Sequence, residues 1–261
     1  MAADRITSVK NPLVQKLKSL QNRRGRVQTG LFLVEGGKMI AEAVKCGLEP
    51  VVLIALEDVA DSVSGIVSGD GLDVYEVSEG VLASVCDTVT PQGCACAFKV
   101  PEELSRDGAG FPNMIVALDS VQDPGNVGTI WRTADAAGFQ MIIAGDGSAD
   151  MLSPKVQRAA MGSGFRLPYK CERNLPGLLD ELKRLGYDIV VSSLSGEPFY
   201  SREKLGDKFV LVIGSEAHGV SSAVDGIATK RLKLPMRGGA ESLNAAVAAG
   251  IMLYELTREI F

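Results

Sequence analysis

The sequence predicts an α/β protein in two parts, a small α/β domain followed by a larger one built on a mainly parallel sheet. Three observations carry this. Short apolar runs alternate with segments of helical period along the whole chain. In the C-terminal half the runs lack polar alternation, as expected of strands covered on both faces. Between the halves lies a polar, charged, Gly- and Pro-containing stretch, Pro101 to Pro112. The chain is 261 residues long, 46% apolar and 23% charged, so it can bury a substantial core and fill more than one ordinary domain.

Thr7 to Leu20 reads as a basic amphipathic helix with Leu13, Leu17 and Leu20 on one face. Leu31 to Val34 reads as a strand, and Gly37 to Cys46 as a helix closed by Gly47. Strands at Val51 to Ala55, Asp73 to Val77 and Cys94 to Val100 alternate with short helices at Val59 to Val67 and Glu79 to Cys86. In the second half, strands are predicted at Met114 to Leu118, Gln140 to Ala144, Asp188 to Leu194, Phe209 to Ile213 and Arg231 to Leu234. Helices are predicted at Asn126 to Ala137, Pro154 to Met161, Leu175 to Leu185 and Leu243 to Arg258. Buried strands between helices imply a parallel sheet with its ligand crevice at the strands' C-terminal ends.

Several function classes fall away. No apolar run approaches the ~20 residues of a membrane-spanning helix. Met1-Ala2-Ala3-Asp4-Arg5 lacks the apolar core of a secretory signal, so a cytoplasmic protein is expected. The odd set of cysteines, Cys46, Cys86, Cys94, Cys96 and Cys171, argues against a disulfide framework. Cys94-Ala-Cys96 reads as buried thiols on a strand, and with one histidine, His218, in the chain no metal site is expected. Gly36-Gly37-Lys38 is not a phosphate loop, because Phe32 stands where its first glycine belongs and Met39 replaces the Ser/Thr. Gly125-Asn126-Val127-Gly128 lacks the dinucleotide-binding glycine spacing.

The net charge of −5 is unevenly placed. The first 30 residues carry Arg5, Lys10, Lys16, Lys18, Arg23, Arg24 and Arg26 against the single acid Asp4. A polyanion feels charge within a Debye length of ~8–10 Å, so despite the acidic total this patch is either a solvated helix face or a nucleic-acid-binding surface.

Three segments carry candidate chemistry. Leu118-Asp119-Ser120-Val121-Gln122-Asp123-Pro124-Gly125-Asn126, continuing to Arg132, reads as a strand end, a Pro-Gly turn and a helix with Asn126 at its N-cap. Gly214-Ser215-Glu216-Ala217-His218-Gly219 is a glycine-bearing turn holding one carboxylate. Pro235-Met236 to Glu241-Ser242-Leu243-Asn244 leads into a slim helix containing Ala245, Ala246, Ala248, Ala249 and Gly250, with Ser242 as its expected cap.

Together and in this order these segments resemble the three motifs of the SpoU/TrmH family of RNA ribose 2′-O-methyltransferases, over residues 113–261. Asn11-Pro12, Phe32-Leu33-Val34-Glu35-Gly36 and Thr90-Pro91-Gln92-Gly93 resemble the ribosomal-protein-like RNA-binding domain that often precedes this catalytic domain. The resemblance implies an RNA substrate-binding domain at 1–105, a linker at 106–112 and a methyltransferase domain at 113–261. It further implies a SPOUT fold with a deep trefoil knot, S-adenosylmethionine as cofactor, and a homodimer formed through the C-terminal domain. Asn126, Arg132, Glu216, Ser242 and Asn244 match the family's catalytic set. Backbone around Leu194, Gly214, Leu234 and Leu243 would hold the cofactor, and Lys10, Lys16, Lys18, Arg23, Arg24 and Arg26 would grip RNA. Ribosomal RNA is the expected substrate. A transfer-RNA methyltransferase, or a non-catalytic RNA-binding or ribosome-assembly factor on the same fold, is the alternative.

Overall fold

The computed structural model describes residues 5–67, 71–101 and 110–258. Residues 106–109 of the expected linker therefore lie outside the described residues. The chain forms two compact units, Met1–Glu102 with Leu152–Gln157, and Glu103–Met151 with Arg158–Phe261.

In the first unit the order is β1 (Arg5–Ile6), α1 (Pro12–Ser19), α2 (Arg23–Thr29), β2 (Leu31–Glu35), α3 (Gly37–Lys45), β3 (Pro50–Ala55), α4 (Glu57–Ser64), β4 (Asp73–Val77), α5 (Glu79–Val85) and β5 (Cys94–Lys99). The strands form one mixed sheet in the order β1-β4-β3-β5-β2, with β5 antiparallel to both neighbours. Val14, Leu17 and Leu20 pack with Leu31, Leu33, Val52, Ile54, Val81 and Val85 in a single core. Cys94 and Cys96 lie buried on β5, as their period-two spacing predicts.

The basic N-terminal segment folds differently from the expected single helix. The Asn11 side chain accepts the Leu13 amide at 2.8 Å and Pro12 takes the first helical position, so α1 cannot start at Thr7. A second helix, α2, was not foreseen. Its Gly25 permits close approach to α1, since a Cβ there would stand 2.1 Å from the Ser19 carbonyl oxygen.

The second unit contains β6 (Met114–Asp119), α6 (Pro124–Ala136), β7 (Met141–Gly145), α7 (Pro154–Ala160), β8 (Tyr169–Glu172), α8 (Leu175–Arg184), β9 (Asp188–Pro198), β10 (Phe209–Gly214), α9 (Ser222–Asp225), β11 (Lys230–Lys233) and α10 (Ala245–Thr257). The division of the chain into units falls within α7, after Gln157. Six strands form an all-parallel sheet in the order β11-β9-β10-β6-β7-β8. Alternate residues of β6, β7, β9 and β10 pack against Leu175, Leu178, Leu179 and Leu182 of α8. α10 packs on α6 and β10. Trp131 anchors α6, fully buried with its Nε1–H donating to the Leu167 carbonyl at 3.0 Å and its ring edge-on to Tyr169.

The chain order places a switch point at the centre of this sheet. β6 leads one way to β7 and β8, while β10 lies on its other side. The two strands end level, with Gly214 opposite Asp119. The segments after them open at the edge where α/β sheets receive ligands.

Candidate active site

Three chain segments meet beyond β6 and β10. After β6, Asp123 caps α6 by accepting the Asn126 amide at 2.8 Å. Asn126 is thus in the first helical turn rather than at the cap, because Asp123 and Pro124 start the helix earlier than expected. Its amide side chain is left for other work.

After β10 the backbone folds into a tight loop, with Ser215 and Gly219 exchanging both N–H···O bonds at 2.9 Å. Two glycines make this possible. Gly219 adopts φ +69°, and a Cβ on Gly214 would fall 2.1–2.3 Å from the backbone of Gly219 and Val220. Glu216 stands exposed on this loop. Asp119 ties the loop down, accepting the Ser221 amide on its Oδ2 at 2.6 Å. This buried carboxylate at the end of an apolar strand is a positioning residue that sequence reasoning missed, although an acid at that place was itself a signal.

The third segment ends at Asn244, which caps α10. Its Oδ1 accepts the amides of Ala246 and Val247 at 2.9 and 3.2 Å. Ser242, the expected cap, lies two residues before it, exposed and with no hydrogen bond among the described residues.

These pieces form one directed chain of hydrogen bonds. Asn244 Nδ2 donates to Asn126 Oδ1 at 3.0 Å, and Asn126 Nδ2 donates to Glu216 Oε1 at 2.5 Å. The direction is fixed at its origin. Two helix amides require an oxygen at Asn244 Oδ1, so its other end must donate. Asn126 must then accept with its oxygen and present N–H to Glu216. Residues 90 and 118 positions apart in sequence are joined.

Arg132 is not joined to this chain. It lies exposed on α6, six residues or ~9 Å of helix rise beyond Asn126. No hydrogen bond or ion pair to it exists among the described residues. An exposed guanidinium without an acid partner is suited to a phosphate.

The residues expected around a cofactor follow adjacent strands. β11, β9 and β10 are neighbours; Leu194 lies in β9, Gly214 ends β10 and Leu234 follows β11. The β9–β11 ladder skips from Val191–Arg231 to Glu197–Leu232, so residues 192–196 bulge out of the pairing. The Ser195 amide there donates to Ser193 Oγ at 3.3 Å, and the exposed side chains of Leu194 and Leu243 offer apolar surface of the kind the adenosine part of S-adenosylmethionine needs.

Of the basic residues in the first unit, Lys10, Lys16, Lys18, Arg23 and Arg24 are exposed and without ion pairs among the described residues. Arg26 departs from the expectation. It is only 4% exposed, and its Nη1 donates to the Leu20 carbonyl at 2.6 Å. It closes the end of α1, because that buried carbonyl needs a donor, and so is withdrawn from the exposed basic face.

Residues 113–254 match the SpoU rRNA Methylase family, and residues 11–96 match the MRM3-like substrate binding domain. The chain is 37% identical to the 23S rRNA (guanosine(2553)-2′-O)-methyltransferase RlmP of Bacillus subtilis, over 96% of this chain and 98% of that protein. An AdoMet-bound rRNA methyltransferase from Sinorhizobium meliloti superposes with a TM-score of 0.88 at 31% identity, over 99% of both chains. The SpoU methyltransferase AviRb of Streptomyces viridochromogenes, solved with AdoMet, gives 0.85 at 27% identity, over 96% of this chain and 98% of that one. Sequence and fold agree over nearly the whole length with enzymes that methylate RNA using S-adenosylmethionine. The chain belongs to the SpoU rRNA methylase family.

Proposed function

We propose that the protein methylates a ribose 2′-hydroxyl of 23S ribosomal RNA, with residues 113–261 as the catalytic domain, residues 1–105 as the RNA reader and 106–112 as the linker. The observation that carries this reading is the Asn244–Asn126–Glu216 chain of hydrogen bonds, assembled from all three motif segments at the open end of β6 and β10. The choice of 23S rRNA is drawn from the Bacillus subtilis relative.

S-adenosylmethionine supplies an electrophilic methyl group on a positively charged sulfur. Residues 192–196 and Gly214, with Leu234 and Leu243, would hold it. The work left to the protein is to orient the hydroxyl. Arg132 is assigned to the phosphate of the target nucleotide, setting the 2′-oxygen in line with the methyl and stabilising negative charge that develops there. A guanidinium with a pKa above ~12 is a poor base, so orientation is preferred to proton abstraction for this residue. Asn126, Glu216 and Asn244 hold the crevice in shape, with Ser242 at its rim. Lys10, Lys16, Lys18, Arg23 and Arg24 would fix register on the RNA backbone without reading sequence.

A homodimer through the second unit is part of the reading. α10 is apolar all round, and its Val247 and Tyr254 remain more than half exposed, a surface that a second copy would cover. The knot is supported by the path of the last segment: from β11 at the sheet's edge the chain returns to set Asn244 beside Asn126, just after central β6. No helix among the described residues is long and apolar enough to cross a membrane. Work on ribosomes would keep the protein in the cytoplasm.

The test is methylation of unmodified 23S rRNA by purified protein, with the site mapped by comparing RNA from cells with and without the gene. Arg132→Ala should lower turnover by about a thousandfold or more while S-adenosylmethionine affinity stays within about twofold. Wild-type turnover in that variant defeats the assignment of Arg132. Unchanged methylation maps defeat the enzyme reading.

A further inference from the structure

Arg132 has a potential captor on its own helix. Asp135 stands three residues further along α6, a spacing at which side chains on a helix surface are neighbours and an Arg–Asp pair can form, more weakly in this cation-first order than in the reverse. That pair is absent. The Asp135 carboxylate is instead held by Arg166, whose Nε and Nη2 both donate to Oδ2, at 3.1 and 2.9 Å. Arg166 closes the short 3-10 turn Ser163–Phe165, which packs against α6, and its Nη2 also reaches Ser163 Oγ at 3.4 Å. The carboxylate is about one-quarter exposed, so its attraction for a cation is less screened than at an open surface.

We infer that Arg166 is a positioning residue for the methyl transfer: by occupying Asp135 it keeps the Arg132 guanidinium free to meet RNA phosphate. This rests on the assignment of Arg132 to the RNA. Without Arg166, the i,i+3 carboxylate competes with phosphate for Arg132, and the fraction of Arg132 available falls. The size of the effect follows from helix-surface ion pairs, which support a capture of about two- to fivefold.

The experiment measures affinity for an unmodified 23S rRNA transcript and single-turnover methylation in the full-length protein. The variants are Arg166→Gln, Asp135→Asn, the double variant, and Arg166→Gln combined with Arg132→Ala. Arg166→Gln should weaken RNA binding and slow methylation by about two- to fivefold, with S-adenosylmethionine affinity unchanged. Asp135→Asn alone should match wild type within about 1.5-fold, and adding it to Arg166→Gln should restore wild-type affinity to the same margin. In the Arg132→Ala background, Arg166→Gln should have no further effect on RNA affinity.

Three results overturn the inference. The first is RNA affinity at the wild-type value in Arg166→Gln. The second is a double variant as weak as Arg166→Gln, which would mean that Arg166 touches RNA or shapes the turn. The third is a loss that persists undiminished in the Arg132→Ala background, which would mean that Arg166 acts without Arg132. Failure of Arg132→Ala to weaken either readout is a separate outcome, and it removes the parent assignment of Arg132. Because RNA affinity is read apart from turnover, it judges Arg166 even where the transcript is not methylated.

Discussion

Asn244 does two jobs with the two ends of one amide, and substitution can separate them. Its oxygen caps α10 and its nitrogen donates to Asn126. Asn244→Ala removes both. Loss of an N-cap costs about 1 kcal/mol, and loss of an exposed side-chain hydrogen bond about 0.5–1 kcal/mol more. At ~2–4 °C per kcal/mol for a chain of this size, melting should fall by about 3–8 °C. Asn244→Asp keeps an acceptor for the Ala246 and Val247 amides and adds charge that the helix N-terminus favours, so melting should stay within about 2 °C of wild type. The donor is gone, however, and a carboxylate now faces Asn126 Oδ1. Asn126 cannot turn its amide to meet it without presenting oxygen to Glu216. Methylation should therefore fall about tenfold or more in a fully folded protein. The assays are thermal unfolding and single-turnover methylation on the same preparations. An Asn244→Asp protein that melts as low as Asn244→Ala would refute the capping role, and one with wild-type turnover would refute the directed hydrogen-bond chain.

Gly214→Ala should cost about 1–3 kcal/mol and most of the activity, because its Cβ would meet backbone of Gly219 and Val220 that has nowhere to go; chemical denaturation and turnover check this. Reversing Lys16, Lys18, Arg23 and Arg24 to Glu should weaken RNA binding and flatten its salt dependence without lowering the melting temperature, whereas Arg26→Ala should destabilise by about 1–3 kcal/mol by leaving the Leu20 carbonyl unpaired. Filter binding across a salt series, beside thermal melts, separates the two. Burial pushes the Cys86 and Cys96 thiols up to about 12, so both stay protonated at pH 8 and alkylation of the native protein should mark exposed Cys171 and spare them; peptide mapping after timed labelling reads the order.

Much of this molecule was legible because its strands are short, apolar and punctuated. Leu31 to Val34, Met114 to Leu118 and Phe209 to Ile213 all fall inside observed strands, and helix ends at Gly47, Gly138 and Gly186 coincide with glycines at positive φ. What escaped was set by partners distant in sequence. Tyr169–Glu172 is an edge strand with a charged, mixed pattern that carries no signal of its own; pairing with β7 alone makes it a strand. The helix Arg23–Thr29 contains a glycine and three arginines, and only its fit against Ser19 explains it. Arg26 looked like its neighbours by charge, and nothing local distinguishes the arginine that turns inward. At the site, residue types were readable but not their jobs. Both cap assignments were displaced, to Asp123 and to Asn244, because Asn and Ser are equally good caps by type and only the path of the chain decides which is used.

The direction of the hydrogen-bond chain links fold to chemistry more tightly than the presence of its members does. An ionised carboxylate only accepts, so Glu216 selects nitrogen from Asn126, which then turns its oxygen toward Asn244. The backbone of α10 makes the same demand from the other end. Its first amides demand an oxygen from Asn244, and the demand passes through Asn126 to end as a donor aimed at a carboxylate. The N-termini of α6 and α10 therefore converge on the one residue of the group that carries negative charge. The final helix thus reinforces, through Asn244, the amide orientation that Glu216 selects at Asn126. Under the proposed assignment of Arg132 to RNA phosphate, a cation inside this chain would instead pair with Glu216, whereas on α6 the acid three residues beyond Arg132 is already held by Arg166.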